Sequence, residues 1–246
     1  MNEVLLIVII SLIGPFFGAL LGVLWHYSER QIYHMLSFAA GVMVFISVFG
    51  LLPQSLSKIS INLVAVGFVF GLLFMYLLNE GIPHFHHHEH SKNVHRDSLK
   101  RTAFFIFLGI TIHNLPEGIA IGVGSQASYH YSILVALAIA LHDIPETICV
   151  AAPMCYTTGK RFKTFFWSVF SAVPTIVGFL VAYYFFSFFP AVVMGVIISA
   201  TAAIMLYISL FEIIPSIMQS KVVKKEQFVH SFVLGSAFVY ILQLFT

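Results

Sequence analysis

Eight stretches of predominantly apolar residues alternate with short polar segments along the chain. Each stretch has roughly 20 residues, the length that an α-helix needs to cross ~30 Å of hydrocarbon. A tight turn at Phe189-Pro190 separates the sixth stretch from the seventh. The pattern predicts an all-α polytopic membrane protein with eight transmembrane helices, named here spans 1 to 8, at residues 4–25, 34–53, 62–79, 102–124, 131–153, 164–188, 190–214 and 228–245.

The 12 lysines and arginines are distributed unevenly between the segments that join these spans. The segments after spans 1, 3, 5 and 7 hold one, four, three and three of them, eleven in all, and Lys58 is the twelfth. Basic residues are enriched on the cytoplasmic side of membrane proteins. We therefore expect both termini outside the cytoplasm and the segments after spans 1, 3, 5 and 7 inside it.

The composition agrees with a chain that lies almost wholly in a membrane. Hydrophobic residues make up 59% of the sequence, charged residues 9%, and the mean hydropathy is +0.96. A soluble domain carries about a quarter charged residues. We expect one transmembrane domain over residues 1–246 in the plasma membrane, which is the inner membrane in a bacterium. We expect the lipid bilayer as its surroundings and no nucleic-acid partner, and the sequence leaves a homodimer open.

Span 1 carries glycines at four-residue spacing, Gly14, Gly18 and Gly22. Small residues on one helix face let two backbones approach closely in lipid. This stripe therefore predicts close helix packing and no ligand site.

Several ionisable side chains lie within the predicted spans, although a charge at the bilayer centre costs about 2.5–3.5 kcal/mol even on the lenient insertion scale. Apart from histidines at span ends, they are His113 and Glu117 in span 4, His142, Asp143 and Glu146 in span 5, and Glu212 in span 7. Such residues usually mark a functional site.

The polar residues of spans 4 and 5 follow one pattern twice. In each copy a histidine and a glutamate are four residues apart and share a helix face. A carboxamide or carboxylate follows each histidine, and a proline stands three residues after it and disturbs the preceding helical turn. The first copy is His113, Asn114, Pro116 and Glu117, and the second is His142, Asp143, Pro145 and Glu146.

Imidazole and carboxylate ligands together suit Zn²⁺ and other first-row divalent ions. A structural hydrogen-bonded pair explains one such copy, but two copies on consecutive antiparallel spans favour metal binding. Two other kinds of protein stay open at this point. An intramembrane metal-dependent enzyme would use the ion to activate water, and a metal sensor would signal through a cytoplasmic segment. The chain has no His-Glu-x-x-His sequence and no soluble output domain.

The motifs resemble those of the ZIP (Zrt/Irt-like) family of divalent metal transporters, and the chain is most similar to its short bacterial zinc transporters. The span 4 motif of the family stands here as HNLPEG at 113–118, and the span 5 motif as HDIPE at 142–146. The resemblance extends to FAAGVM at 38–43, LKRT at 99–102 and Glu-x-x-Pro at 212–215.

The resemblance implies eight helices, with helices 1–3 and 6–8 as inverted repeats around helices 4 and 5. It implies a transporter that moves divalent metal into the cytoplasm, and no enzymatic activity or organic cofactor. Zn²⁺ is the expected substrate, with Fe²⁺, Mn²⁺ and Cd²⁺ as alternatives. The implied ligands are His113, Glu117, His142 and Glu146 for a first ion, with Met43 as an additional ligand, and Asn114 and Asp143 for a second ion bridged by the two glutamates. Glu212 is expected on the exit path.

The chain departs from its relatives where they carry further carboxylates. It has Val173 next to the span 6 proline, Gly50 in span 2 and Gln54 after the span 2 proline. A further departure is Thr147, which stands after the second Pro-Glu where relatives have a glycine. We therefore expect a well-formed first metal position and a weak or absent second one.

A histidine-rich tract lies in the predicted cytoplasmic loop at 80–101. Its sequence, HFHHHEH, places histidines at His84, His86, His87, His88 and His90. Tracts of this kind bind divalent metals. We expect metal capture or regulation there, and a solvated linker is the alternative.

Overall fold

The computed structural model describes residues 3–81, 94–127, 129–185, 190–220 and 222–244, and every regular element within these ranges is helical. The α-helices are α1 (Glu3–Leu24), α2 (Glu29–Phe45), α3 (Leu52–Leu56), α4 (Ile61–Gly81), α5 (Val94–Ala127), α6 (Tyr129–Thr158), α7 (Arg161–Phe170), α8 (Val173–Phe185), α9 (Ala191–Tyr207), α10 (Ile214–Ser220) and α11 (Lys225–Gln243).

Seven helical segments of the described chain are long and apolar enough to cross a membrane. They are Glu3–Leu24, Glu29–Leu56, Ile61–Glu80, Leu99–Val123, Ser132–Thr158, Arg161–Phe185 and Ala191–Ser220. Span 8 corresponds to α11, whose first turn holds Lys225, Glu226 and Gln227 and lowers its overall hydropathy. The prediction of an all-α polytopic membrane protein is confirmed, and the count of eight spans stays a prediction.

Two helix ends show how the sequence sets the boundaries. Before α2, the Ser28 backbone N–H donates to the Gln31 side chain at 2.8 Å, and the Gln31 N–H donates to the Ser28 hydroxyl at 3.3 Å. This reciprocal pair is a capping box. After α6, Gly159 has a φ of +70°, which a glycine adopts without steric cost, and the chain turns there into α7.

Spans 2 and 7 each contain a stretch of π-helix just before a proline. These stretches are Ile46–Leu51, which precedes Leu52-Pro53, and Ile208–Ile213, which precedes Ile214-Pro215. Proline has no N–H, and its ring clashes with the carbonyl four residues earlier. The wider π turn relieves that clash and leaves backbone carbonyls without their usual α-helical partners.

Several predicted boundaries differ from the structure. Spans 2, 5 and 7 are longer than predicted, since they cover Glu29–Leu56, Ser132–Thr158 and Ala191–Ser220. Span 6 is predicted as one stretch, but it begins at Arg161 and is interrupted at Ser171 and Ala172, because Pro174 cannot donate to the preceding turn. The loop predicted at 80–101 is shorter, since α4 continues to Gly81 and α5 begins at Val94.

Glycines bring the backbones of particular helix pairs into direct contact. A Cβ built on Gly14 would lie 2.1 Å from the carbonyl oxygen of Ala140 on α6, so the packing predicted for span 1 is confirmed. Similar backbone contacts occur at a second position between α1 and α6, and they also join α5 with α8, α2 with α11, and α4 with α9. The pairs are Gly18 with Ile144, Gly118 with Thr175, Gly178 with Leu115, Gly41 with Phe232, Gly235 with Phe38, Gly67 with Val196, and Gly71 with Ala200.

These contacts divide the long helices into two groups. The central group consists of α1, α5, α6 and α8, and α5 packs along α6 within it. The flanking group consists of α2, α4, α9 and α11. Between the two groups, the side chain of Ile208 in span 7 packs on Gly109 of α5.

Candidate metal site

The two copies of the His-x-x-x-Glu pattern meet where α5 packs against α6. Because α5 ends at Ala127 and α6 begins at Tyr129, the two helices run antiparallel. Glu117 therefore lies at the level of His142, and His113 lies at the level of Glu146. The two levels are about 6 Å apart, the rise of four helical residues.

One oxygen atom joins the two helices at the centre of the site. Glu117 Oε1 lies 2.8 Å from His113 Nε2 and 2.8 Å from His142 Nε2. The contact with His142 is a hydrogen bond, in which the carboxylate accepts. The contact with His113 does not have hydrogen-bond geometry despite its length, and neither ring nitrogen of His113 has a hydrogen-bond partner among the described residues. The three ligand atoms lie within 4.8 Å of one another.

The exposure of these side chains changes from one level to the other. The side chains of His142 and Glu117 are 14% and 9% exposed, whereas that of His113 is 1% exposed. Glu146 is also fully buried, and its carboxylate is close enough to both imidazoles to interact with them electrostatically. The side chains at the level of Glu117 and His142 are therefore less enclosed than those at the level of His113 and Glu146.

Further oxygen atoms surround this cluster without hydrogen-bond partners in the described chain. They are Asn114 Oδ1, Glu117 Oε2, both oxygens of Asp143 and both oxygens of Glu146. Buried polar atoms are almost always hydrogen-bonded, so a group of unpaired ones in one place requires an explanation. A cation held by some of these oxygens would provide that explanation.

Asn114 is oriented by the interruption in span 6. Its Nδ2 donates to the backbone carbonyl of Ser171 at 2.7 Å, which turns Oδ1 away from that carbonyl. Ser171 is a contact of the candidate site that the sequence reasoning missed. Pro174 was the available signal, because the residues just before a helix proline keep carbonyls that the helix does not use.

The prolines of the two motifs do not break their helices, since α5 and α6 continue through Pro116 and Pro145. Their predicted effect, a disturbed or kinked helical turn at the site, stays a prediction. Met43 is buried in the main apolar cluster, and its carbonyl accepts the hydroxyl of Ser47 at 2.7 Å. Its role as a metal ligand also stays a prediction.

Glu212 lies apart from this cluster, in the π-helical stretch of span 7, with its side chain 8% exposed. Its Oε1 is 3.7 Å from a guanidinium nitrogen of Arg101. The predicted metal-capturing residues His84, His86, His87, His88 and His90 lie outside the described residues.

The donor set decides what chemistry this site supports. Two imidazoles and a shared carboxylate can coordinate one divalent ion of the zinc type, and the surrounding oxygens would complete its coordination or balance its charge. The three candidate ligands His113, Glu117 and His142 were all predicted from the sequence.

Comparison with known proteins agrees with this donor set. The profile of the family described as "ZIP Zinc transporter" matches residues 84–243. The chain is 37% identical over 222 residues to "Zinc transporter ZupT" of Escherichia coli O127:H6, covering 87% of this chain and 86% of that protein. It is 36% identical over 222 residues to "Zinc transporter ZupT" of Shigella flexneri serotype 5b, with the same shares covered.

Proposed function

This chain belongs to the ZIP family of zinc transporters, and from that premise we propose that it carries Zn²⁺ across the inner membrane into the cytoplasm. The observation that carries the proposal is the position of Glu117 Oε1, 2.8 Å from the imidazole nitrogens of both His113 and His142. Glu146 is the fourth member of the first metal position. Binding there requires neutral imidazoles and ionised carboxylates.

The direction of transport rests on charge and exposure together. With the predicted orientation, α5 runs outward and α6 runs inward, so Glu117 and His142 face the outer side. These are the more exposed ligands. On the inner side, a cluster of apolar residues that includes Ile208 and Met205 closes the space between α5 and span 7. The ion therefore enters from outside, and its release requires the inner contacts to separate.

The proposed fold has eight transmembrane helices, with spans 1–3 and 6–8 as inverted repeats around spans 4 and 5. The paired contacts support it: α1 packs on α6 as α8 packs on α5, and α2 packs on α11 as α9 packs on α4. The two π-helical stretches, each just before a proline in spans 2 and 7, support the same relation.

Zinc uptake into sealed proteoliposomes tests this function. The purified protein is expected to raise the internal zinc signal above that of protein-free liposomes, and Fe²⁺, Mn²⁺ and Cd²⁺ added in excess rank the competing ions. An intramembrane enzyme or a sensor would bind zinc without moving it. Tight zinc binding with no uptake would therefore reject the transporter in favour of those alternatives.

A second ion would be held by Asn114 and Asp143, with Glu117 and Glu146 as bridges. Val173 supplies no ligand from span 6, so we expect one tightly bound zinc per chain and a second only at higher concentration.

The variant Asn114→Ala tests this order of affinities. It removes a neutral hydrogen bond worth about 1 kcal/mol, so the affinity for the first zinc is expected to change less than about fivefold. Binding of the second zinc is expected to disappear. Equilibrium dialysis with radioactive zinc measures both, and Asn62→Ala, at an exposed position on α4, is the control. Loss of the tight zinc in Asn114→Ala alone would place Asn114 in the first position.

A further inference from the structure

A guanidinium group joins the central and flanking helix groups away from the metal site. Arg101 lies near the start of α5, on the predicted cytoplasmic side. Its Nη2 donates to Asn79 Oδ1 of α4 at 2.7 Å and lies 3.7 Å from Glu212 Oε1 of span 7. The guanidinium also lies over the ring of Phe105, 5.5 Å from its centre.

Asn79 is itself held in place from span 7. Its Nδ2 donates at 3.1 Å to the hydroxyl of Tyr207, which immediately precedes the π-helical stretch that holds Glu212. Asn79 and Glu212 both belong to the flanking group, so the polar partners of Arg101 lie outside its own helix group, while the ring of Phe105 on α5 packs against its guanidinium. Two turns further along α5, Ile208 packs on Gly109. The space between α5 and span 7 on the predicted cytoplasmic side is called here the inner path. Arg101 and Ile208 thus close this inner path at two depths.

The contact between Arg101 and Glu212 differs from a tight ion pair. Its 3.7 Å separation is longer than a charge-assisted hydrogen bond, and Arg101 is 41% exposed while Glu212 is 8% exposed. A buried carboxylate needs a cation nearby, because an uncompensated charge is costly there. The arginine can instead withdraw into water on its flexible stem. A divalent ion that reaches Glu212 can therefore replace Arg101 at little cost.

We propose that Arg101 is a positioning residue for metal release: it balances Glu212 while the central site is loaded and yields that carboxylate to the departing ion. This inference rests on the proposed transport function. After the ion leaves, the guanidinium returns to Glu212 and closes the inner path. The return keeps the carboxylate from retaining the ion, so release stays fast.

Charge neutralisation at the two positions tests the proposal in the zinc uptake assay. In Arg101→Gln, Glu212 has no resident cation and holds the departing zinc, so the maximal uptake rate falls about tenfold and KM falls with it. In Glu212→Gln, an unpaired arginine repels the ion, and the rate also falls. The double variant removes both charges, and its rate is expected to recover at least about threefold over Arg101→Gln.

This recovery separates a charge-balancing role from a structural one. If Arg101 served only to hold α5 against α4, the double variant would be as slow as Arg101→Gln or slower, and the proposal would be wrong. Arg101→Lys keeps the charge and is expected to be faster than Arg101→Gln. If the two are equally slow, charge is not what matters at this position.

Two further measurements keep the outcomes distinct. Equilibrium zinc binding at the central site is expected to be the same in Arg101→Gln and in the wild type, since Arg101 touches none of the metal ligands. Lys160→Gln, an exposed position between α6 and α7, controls for loss of a cytoplasmic charge. If the wild type moves no zinc, the transport function itself fails. If it moves zinc without the recovery in the double variant, this inference alone fails.

Discussion

Replacing His142 with alanine is expected to lower the zinc uptake rate about a hundredfold, because it removes one of two imidazoles that share the oxygen of Glu117. The remaining carboxylates are harder ligands and hold zinc less tightly without imidazole. Uptake into proteoliposomes over a range of zinc concentrations measures this effect. The equilibrium affinity is expected to fall with the rate.

His130→Ala is the matched control for this variant. His130 lies on the same helix, α6, and is exposed near its beginning. It is expected to transport zinc at the wild-type rate. Equal uptake by His142→Ala and the wild type would show that the ion takes another path and that the site assignment is wrong.

Substituting alanine for Gly118 is expected to destabilise the protein without removing a ligand. The added Cβ would lie 1.9 Å from the carbonyl oxygen of Thr175, so α5 and α8 must separate. Overpacking of this kind costs about 1–3 kcal/mol. The melting temperature in detergent is expected to fall by roughly 5–10 °C. Zinc uptake is expected to fall too, because the same interface holds Asn114 against Ser171.

Gly50→Ala provides the comparison at a tolerant site. Its nearest neighbour would be the end of the Gln243 side chain, 3.0 Å from the new Cβ, which can move aside. We expect its melting temperature to stay within about 2 °C of the wild type. A Gly118→Ala protein as stable as Gly50→Ala would mean that α5 and α8 do not pack as closely as described.

The repeated pattern on α5 and α6 was predictable because it depends only on local spacing and helical geometry. A histidine and a glutamate four residues apart must share a face, and the short connection between the helices makes the two faces antiparallel. The same holds for the glycine stripe of α1, which needs no knowledge of its partner. Spans 1 to 7 were predictable because their apolar runs are long enough to cross the hydrocarbon.

The contacts that depend on distant segments could not be predicted in this way. The hydrogen bond from Asn114 to Ser171 joins residues 57 positions apart, and that between Asn79 and Tyr207 joins residues 128 apart. Sequence spacing carries no information about such pairs. The π-helical stretches were also missed, because proline signals a disturbed turn without stating how the turn adjusts.

The glycine contacts have a mechanical consequence for the whole molecule. Backbone atoms that touch directly leave no side chain to change rotamer, so each glycine-packed helix pair resists internal deformation. Side chains such as Ile208 separate the groups and can repack as one group slides past the other. Because His113, Glu117, His142 and Glu146 all lie on the central group, a rigid displacement of that group would move the bound ion across the membrane with its coordination intact.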